Sequence, residues 1–370
     1  MKLHCHRPSL ATAFSTVSAI VPSRTPKEIL RNVKLQVGGG KATLVGTDQE
    51  VGIRCAIPGV ETDSAGEVLL PKDRIIAILR ELTDESVDLE VTEKALWVRS
   101  GHSEFKLSAE DPAEFPPVQE FDAISYHVVP AASLKEMIRR TVFATDVEST
   151  RYALGGVLME FIGDKLTMAA TDSRRLAVIS SSCSTVGTIE SRGTHPVIPT
   201  KALNLIEKSI GDSDQDVYVA VYPNSVLFKV GNSTIYSRLV EGRFPRYADV
   251  IPSSSNIAID LLTGPFASVV RQAMIVTNEE SRGVDFVFAS GTLRLQSVAA
   301  DVGESKVELP ISHDGNTITI TFDPRYIVDF LRILDGSTSI KLHLTDGDSA
   351  AVLKTDDGYT YVIMPLARDR

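Results

Sequence analysis

The chain has 370 residues, a length that suits roughly two to three domains. Its net charge of −10, 43% hydrophobic content and 23% charged residues are ordinary globular values, and an acidic chain does not wrap nucleic acid with its whole surface, although a local basic face remains open to it. No apolar run approaches the roughly 18 residues of a membrane span. Three widely spaced cysteines, Cys5, Cys55 and Cys183, argue against a disulfide framework and fit a reducing cytoplasm.

At the start of the chain, Lys2 and Arg7 followed by Leu10 to Val21 loosely mimic a signal peptide. Polar residues at Ser9, Thr12, Ser15, Thr16 and Ser18 interrupt that stretch. Leu10, Phe14 and Val17 fall at helical spacing, which predicts an amphipathic helix. On a strand, His4 and His6 share one face and Cys5 the other, so the three do not converge on one metal ion. Gly38-Gly39-Gly40-Lys41 is followed by Ala42 and lies between alternating segments, so it reads as a hairpin turn and not a phosphate loop. A second helix is expected from Pro71-Lys72, with Ile75, Leu79 and Leu82 on its apolar stripe. Strands are expected at Val87-Leu89-Val91 and Leu96 to Arg99.

This unit then repeats. At an offset of 124 residues Leu10 falls on Leu134, Phe14 on Ile138, Leu30 on Leu154, Val33 on Val157, and Thr47-Asp48 on Thr171-Asp172. A looser third copy places Phe266, Val270 and Ala273 on the first helix, and Val284, Phe286 and Phe288 on the strand that follows. The later second helices start near Pro199-Thr200 and Asp323-Pro324. Their stripes are Leu203, Ile206 and Ile210, and Ile327, Phe330, Leu331 and Leu334. Tyr218 to Val221, Val226 to Val230 and Ile340-Leu342-Leu344 alternate as strands. Each copy is therefore about 120 residues with two helices and roughly eight strands. The fold class is α+β, with helices packed on antiparallel sheets, and the expected domains are 1–122, 126–251 and 254–370.

No catalytic signature is present: no Gly-x-Ser-x-Gly, no His-Glu-x-x-His, no Cys-x-x-Cys. The residues therefore give no reason to expect an enzyme, a cofactor or a metal. Two other features stand out. Ala170-Thr171-Asp172-Ser173-Arg174-Arg175-Leu176-Ala177-Val178 follows a strand from Lys165 through Ala169. Alone it reads as a turn with solvated arginines beside the exposed apolar edge of Leu176. The helices also carry basic polar faces, with Lys135, Arg139 and Arg140, Lys201 and Arg271 among them. A sparse basic lining without interleaved aromatics suits phosphate contacts that do not read bases.

With the repeat and these motifs, the chain resembles the beta subunit of bacterial DNA polymerase III, the sliding-clamp family. The resemblance covers essentially the whole chain. It rests on Arg151 to Glu160, Ala170 to Val178, Glu241-Gly242-Arg243-Phe244-Pro245-Arg246-Tyr247, Glu280-Ser281-Arg282-Gly283 and Tyr361 to Leu366. It implies three tandem copies of a DNA-clamp domain that form a ring of two head-to-tail subunits around duplex DNA. No catalytic residue, metal or cofactor is implied. The implied partners are the replicative DNA polymerase alpha subunit, the clamp loader and other proteins with a clamp-binding motif, and no membrane. The resemblance places a partner-peptide pocket at Leu154, Thr171, Ser173, Arg174, Arg175, Leu176, Pro245, Val250, Val362, Met364, Pro365 and Leu366. Arg24 matches a position that touches DNA. Copy one has Thr47-Asp48 without the arginine pair and copy three has Val298-Ala299 there, so one pocket per subunit is expected. Asp249 stands where the family is often basic, and the tail runs on as Ala367-Arg368-Asp369-Arg370. A divergent scaffold that keeps the pocket but no longer retains DNA is the alternative.

Overall fold

The computed structural model describes residues 1–92, 95–148, 153–189, 195–212 and 215–367. Arg151 and Tyr152 of the resemblance, and residues 368–370 of the tail, lie outside them. Six α-helices occur among the described residues: α1 (Arg7–Ser18), α2 (Lys72–Glu81), α3 (Ala131–Thr141), α4 (Thr200–Ser209), α5 (Thr263–Ala273) and α6 (Pro324–Leu331). They are two per repeat, with nine, nine and eight strands in the three repeats among the described residues.

The chain clusters into two compact units, one of residues 1–135 and 182–239, the other of residues 136–181 and 240–370. The middle repeat is thus divided between them. In the first unit, a five-stranded sheet runs in the order Val60–Ser64, Lys2–His6, Ser86–Val91, Ala95–Ser100, Ser103–Ser108. A nine-stranded sheet joins first-repeat strands to second-repeat strands where Ser233–Arg238 pairs antiparallel with Val51–Ile57, Ile235 opposite Ile53. In the second unit the strand Arg175–Ser182 pairs antiparallel with Thr360–Ile363, Leu176 opposite Val362. A four-stranded sheet has the order Gly303–Pro310, Thr292–Ala299, Val284–Ala289, Ile318–Phe322.

The elements form for the reasons the pattern supplies. The strand Lys2–His6 alternates exposed and buried, with Leu3 and Cys5 inside, so the histidines face away from the cysteine. His4 Nδ1 meets Asp88 Oδ1 at 2.8 Å. Leu10, Phe14 and Val17 are buried along α1. Gly39 and Gly40, at φ 58° and 74°, make a two-residue hairpin link between Asn32–Gly38 and Lys41–Thr47, a left-handed pair that glycine adopts without steric cost. Asp323 caps α6, its Oδ1 accepting from Arg325 N at 3.1 Å, with Pro324 in the first turn. That helix ends at Leu331, so Leu334, expected on its stripe, lies beyond it.

The second unit has an aromatic core. Phe286 meets Phe266 and Phe322 edge to face, with centroids 6.3 and 5.4 Å apart. Phe330 of α6 stacks on Tyr359 at 5.4 Å and on Tyr361 at 4.8 Å. Tyr361 Oη then donates to Tyr326 O at 2.8 Å, so the ring that packs the helix also bonds its backbone. Replacing Phe330 with Ala removes the ring common to both stacks, and chemical denaturation followed by far-UV dichroism is expected to show a loss of about 3–5 kcal/mol.

Candidate functional site

The central stretch folds into a turn fixed by its own polar side chains. Thr171 Oγ1 donates to Arg175 O at 2.6 Å and accepts from Ser173 N at 3.1 Å. Asp172 Oδ1 accepts from the N–H groups of Arg174 and Arg175 at 2.9 and 3.0 Å. Ser173 takes a left-handed φ of 73° at the apex. The counterpart in the first repeat has the same wiring. Thr47 Oγ1 donates to Val51 O at 2.8 Å and accepts from Gln49 N at 2.9 Å. Asp48 Oδ1 accepts from Glu50 N and Val51 N at 3.0 and 2.8 Å, and Gln49 has a φ of 80°. The Thr-Asp pair that marks the repeat in the sequence is thus a backbone device, independent of the arginines.

The arginines differ from the solvated pair expected of an isolated turn. The Arg175 side chain is only 10% exposed. Its Nε donates to Asp172 Oδ2 at 2.9 Å, Nη1 to Asp329 Oδ2 at 2.6 Å and Nη2 to Phe143 O at 2.8 Å. The guanidinium carbon lies 4.7 Å from the centre of the Tyr326 ring and 5.4 Å from that of Phe143. Burial opposes its charge, but Tyr361, Asp329 and Asp172 outweigh that and raise its pKa. Arg174, in contrast, is exposed, with a long 3.4 Å contact from Nη1 to Tyr326 Oη. Leu176 is 2% exposed, not an exposed edge, because its strand is paired on the Val362 side.

Beside this turn is a cavity of about 420 Å³. Its walls are Thr171, Ser173, Arg174, Arg175 and Leu176, then Pro245, Tyr247 and Val250, then Val362 and Met364. Val250 and Met364 are 55% and 46% exposed, an unusual state for apolar side chains and one that suits a docking surface. Nine of the twelve residues assigned to a pocket by resemblance line this cavity. Leu154, Pro365 and Leu366 do not. Leu154 is buried, and Leu366 N donates to Thr321 O at 2.8 Å, which holds that residue along the third repeat's sheet. Tyr247 lines the wall and was not expected there, although it ends the Glu241-to-Tyr247 motif. Its hydroxyl donates to Glu160 Oε2, and burial, then that hydrogen bond, raise its pKa.

The matching place in the first repeat is filled. Gly52 stands where Leu176 would repeat, and a Cβ on it would come within 2.8 Å of the Val118 side chain. Val118 packs with Phe115, Val45 and Leu69, and with Ile29 and Tyr236 beside them.

The basic residues expected to meet DNA fall into two groups. Arg24, Arg139 and Arg271 are exposed. Lys135 Nζ donates to Ile210 O at 3.2 Å, capping the end of α4. Lys201 pairs with Asp48, and burial lowers its pKa. Arg140 is a departure from the expected solvated cation: its side chain is 13% exposed, pairs with Glu136 at 2.6 Å and Asp357 at 2.5 Å, and lies over the Tyr359 ring.

No group of three or more His, Cys, Asp or Glu among the described residues is placed to hold a metal ion, and no described helix is long and apolar enough to cross a membrane. Fold and site together define a repeat-built α+β protein with a largely apolar cavity beside the Thr171–Arg175 turn. Comparison with known proteins gives the family. Residues 1–119, 128–246 and 248–367 match the N-terminal, central and C-terminal domains of the DNA polymerase III beta subunit. The chain is 32% identical to the beta sliding clamp of Staphylococcus epidermidis over 365 residues, covering 95% of each. It is 29% identical to that of Pseudomonas putida over 370 residues, covering 99% of this chain and 100% of the other. The crystal structure of the DNA polymerase III subunit beta from Pseudomonas aeruginosa superposes with a TM-score of 0.91 at 27% identity, covering 100% of both chains. The chain belongs to the DNA polymerase III beta-subunit family, the beta sliding clamps, non-catalytic processivity subunits of that polymerase.

Two outcomes follow from the ion pairs. Arg175→Ala takes the cation from Asp172 and the nearer of two from Asp329, which keeps Arg332 at 3.7 Å, and is expected to cost about 3 kcal/mol in thermal or chemical unfolding, with Arg175→Lys recovering part of it. For Asp357, burial favours the neutral form, but hydrogen bonds from Thr355 and Arg140 prevail and its pKa is lowered. A carboxyl whose folded pKa lies below its unfolded value stabilises the fold above the unfolded pKa, and that stabilisation is lost as pH falls through the folded one. Asp357→Asn should therefore lower the melting temperature at neutral pH and reduce its further decline in acid.

Proposed function

We propose that this chain acts as a DNA-encircling clamp: a head-to-tail homodimer closes around duplex DNA without reading sequence, and the cavity beside the Thr171–Arg175 turn tethers the replicative polymerase alpha subunit, the clamp loader and other partners by a short peptide. The observation that carries the tethering is the cavity itself, where Leu176, Val362, Met364, Pro245 and Val250 surround a space sized for one or two apolar side chains. The closure is supported by two open sheet edges. Ser103–Ser108 ends the five-stranded sheet and Gly303–Pro310 ends the four-stranded one. Exposed apolar side chains occur at or near each, Phe105 on the first, Val298, Val302 and Ile275 by the second. Unlike edges that meet head to tail cover one another when the ring closes. Exposed Arg24, Arg139 and Arg271 supply phosphate contacts. Three free cysteines fit a cytoplasmic location.

A second reading has one observation in its favour. Arg140 and Lys201 are neutralised within the chain, which thins the basic lining and suits a scaffold that holds partners but not DNA. Loading onto nicked circular DNA followed by linearisation separates the two: a clamp is retained on circles and lost from free ends, whereas a scaffold shows no dependence on topology. Phe105→Asp is expected to convert a dimer into a monomer by light scattering, and a wild-type monomer at tens of micromolar (~10⁻⁵ M) would sink the ring. An apolar peptide anchor buried in the cavity contributes roughly 1.5–3 kcal/mol, so Met364→Ala should weaken a bound peptide by about tenfold with dimer mass unchanged. Unchanged affinity in a well-folded variant would put the pocket elsewhere.

A further inference from the structure

We propose that the third repeat holds a binding site for one small doubly charged oxyanion, of the phosphate or sulfate class, between Lys354, His343 and the serines at 253–255. The site is separate from the cavity beside the Thr171–Arg175 turn and does not depend on the peptide reading. An electrostatic conflict on the sheet points to it. Lys341 and Lys354 stand directly opposite each other on the antiparallel strands Ser339–Leu344 and Ala351–Thr355. His343, two residues on from Lys341, shares their face. Like charges set opposite each other destabilise a strand pair. Asp260, on the neighbouring strand, takes Lys341 at 3.1 Å. Lys354 is exposed and forms no ion pair among the described residues.

The segment that joins the second and third repeats lies against this corner. With the two strands it encloses a cavity of about 140 Å³, lined by Lys354, His343, Thr345 and the three serines, with Val352 as an apolar part. The segment is held by its own bonds. Ser255 Oγ lies 3.1 Å from His343 Nδ1, and Asn256 Nδ2 donates to Thr345 O at 2.9 Å. The Ser253 and Ser254 hydroxyls, His343 Nε2 and the Lys354 ammonium have no partner among the described residues. Hydroxyls, a protonated imidazole and an ammonium are donors, and no carboxylate lines the cavity. The acids around it are placed elsewhere. Asp346, in the turn after Thr345, accepts from Asp348 N and Ser349 N at 2.9 and 2.7 Å, and Asp348 is exposed. Asp356 lies past the end of the Lys354 strand and forms no ion pair with it. Burial, then Lys354 and Lys341, lower the His343 pKa, against the pull of Asp260. An anion on Lys354 offsets that opposition, so its binding and protonation of the ring favour each other.

The test uses the full chain with ¹³C-labelled histidine, its seven Cε1–H signals followed by NMR, and His343→Gln to assign one of them. Sulfate is the probe, because it stays doubly charged wherever histidine titrates, and chloride at matched ionic strength is the blank. Sulfate should shift the His343 signal along a saturable curve with half-saturation on the order of 10⁻³ M. It should also raise the pKa of that ring by about 0.5–1, the change for roughly three- to tenfold tighter binding to the protonated form. In Lys354→Ala, an exposed position, affinity should fall by about fivefold or more, with thermal melts checking the fold. Inorganic phosphate and glycerol phosphate separate the sources. Saturation by both means that the site also takes the end of an ester, and saturation by inorganic phosphate alone limits it to the free ion; either upholds the site. A linear response, one equal to that of chloride, or one unchanged in a folded Lys354→Ala chain overturns it.

Discussion

A charge removed from water must find partners where it is buried, and Arg175 shows how strongly that requirement shapes the second unit. Its three donor groups reach three separate segments: the turn at Asp172, the chain after α3 at Phe143, and α6 at Asp329. Two aromatic rings pack against its face. Each acceptor offsets part of the desolvation, and each fixes a segment in place. The cavity wall is therefore tied at three points by the ion buried behind it. Arg140 repeats the solution next to it, with Glu136, Asp357 and the Tyr359 ring.

Much of this architecture could be read from residue spacing. The helix starts at Pro71-Lys72, Pro199-Thr200 and Asp323-Pro324 follow from local chemistry: a proline preceding or opening the first turn, a carboxylate cap, and an apolar stripe at helical period. The Thr-Asp repeat marks two turns whose hydrogen bonds are closed within five residues, so sequence alone contains everything the turn needs. The cavity wall was expected from the resemblance and not from spacing; only the paired strands set Leu176 opposite Val362.

What escaped the sequence is the fate of long polar side chains. Nothing near Arg140 in the chain points to Asp357, 217 residues away, and Asp329 is 154 residues from Arg175. Such pairings are decided by tertiary packing, and they turn apparent surface cations into internal ties. Leu366 shows the same dependence on packing: its backbone N–H bonds Thr321 O, a residue 45 positions earlier in the chain. Tyr247 was visible as a motif residue, but its role on the wall depends on Glu160, which only the fold brings within reach.

The filled site of the first repeat has a consequence for traffic. Val118 rests on Gly52 where the second repeat keeps an open cavity, so among the described residues the first repeat has no copy of that cavity. Under the proposed tethering, partners that use the cavity of the second repeat cannot share it; each must leave before the next arrives. Occupancy then depends on the relative affinities and local concentrations of the competing peptides, and a weaker binder can take over only when a stronger one dissociates. Under that reading, a single glycine that admits a neighbouring valine leaves the duplicated framework with one place at which partners take turns.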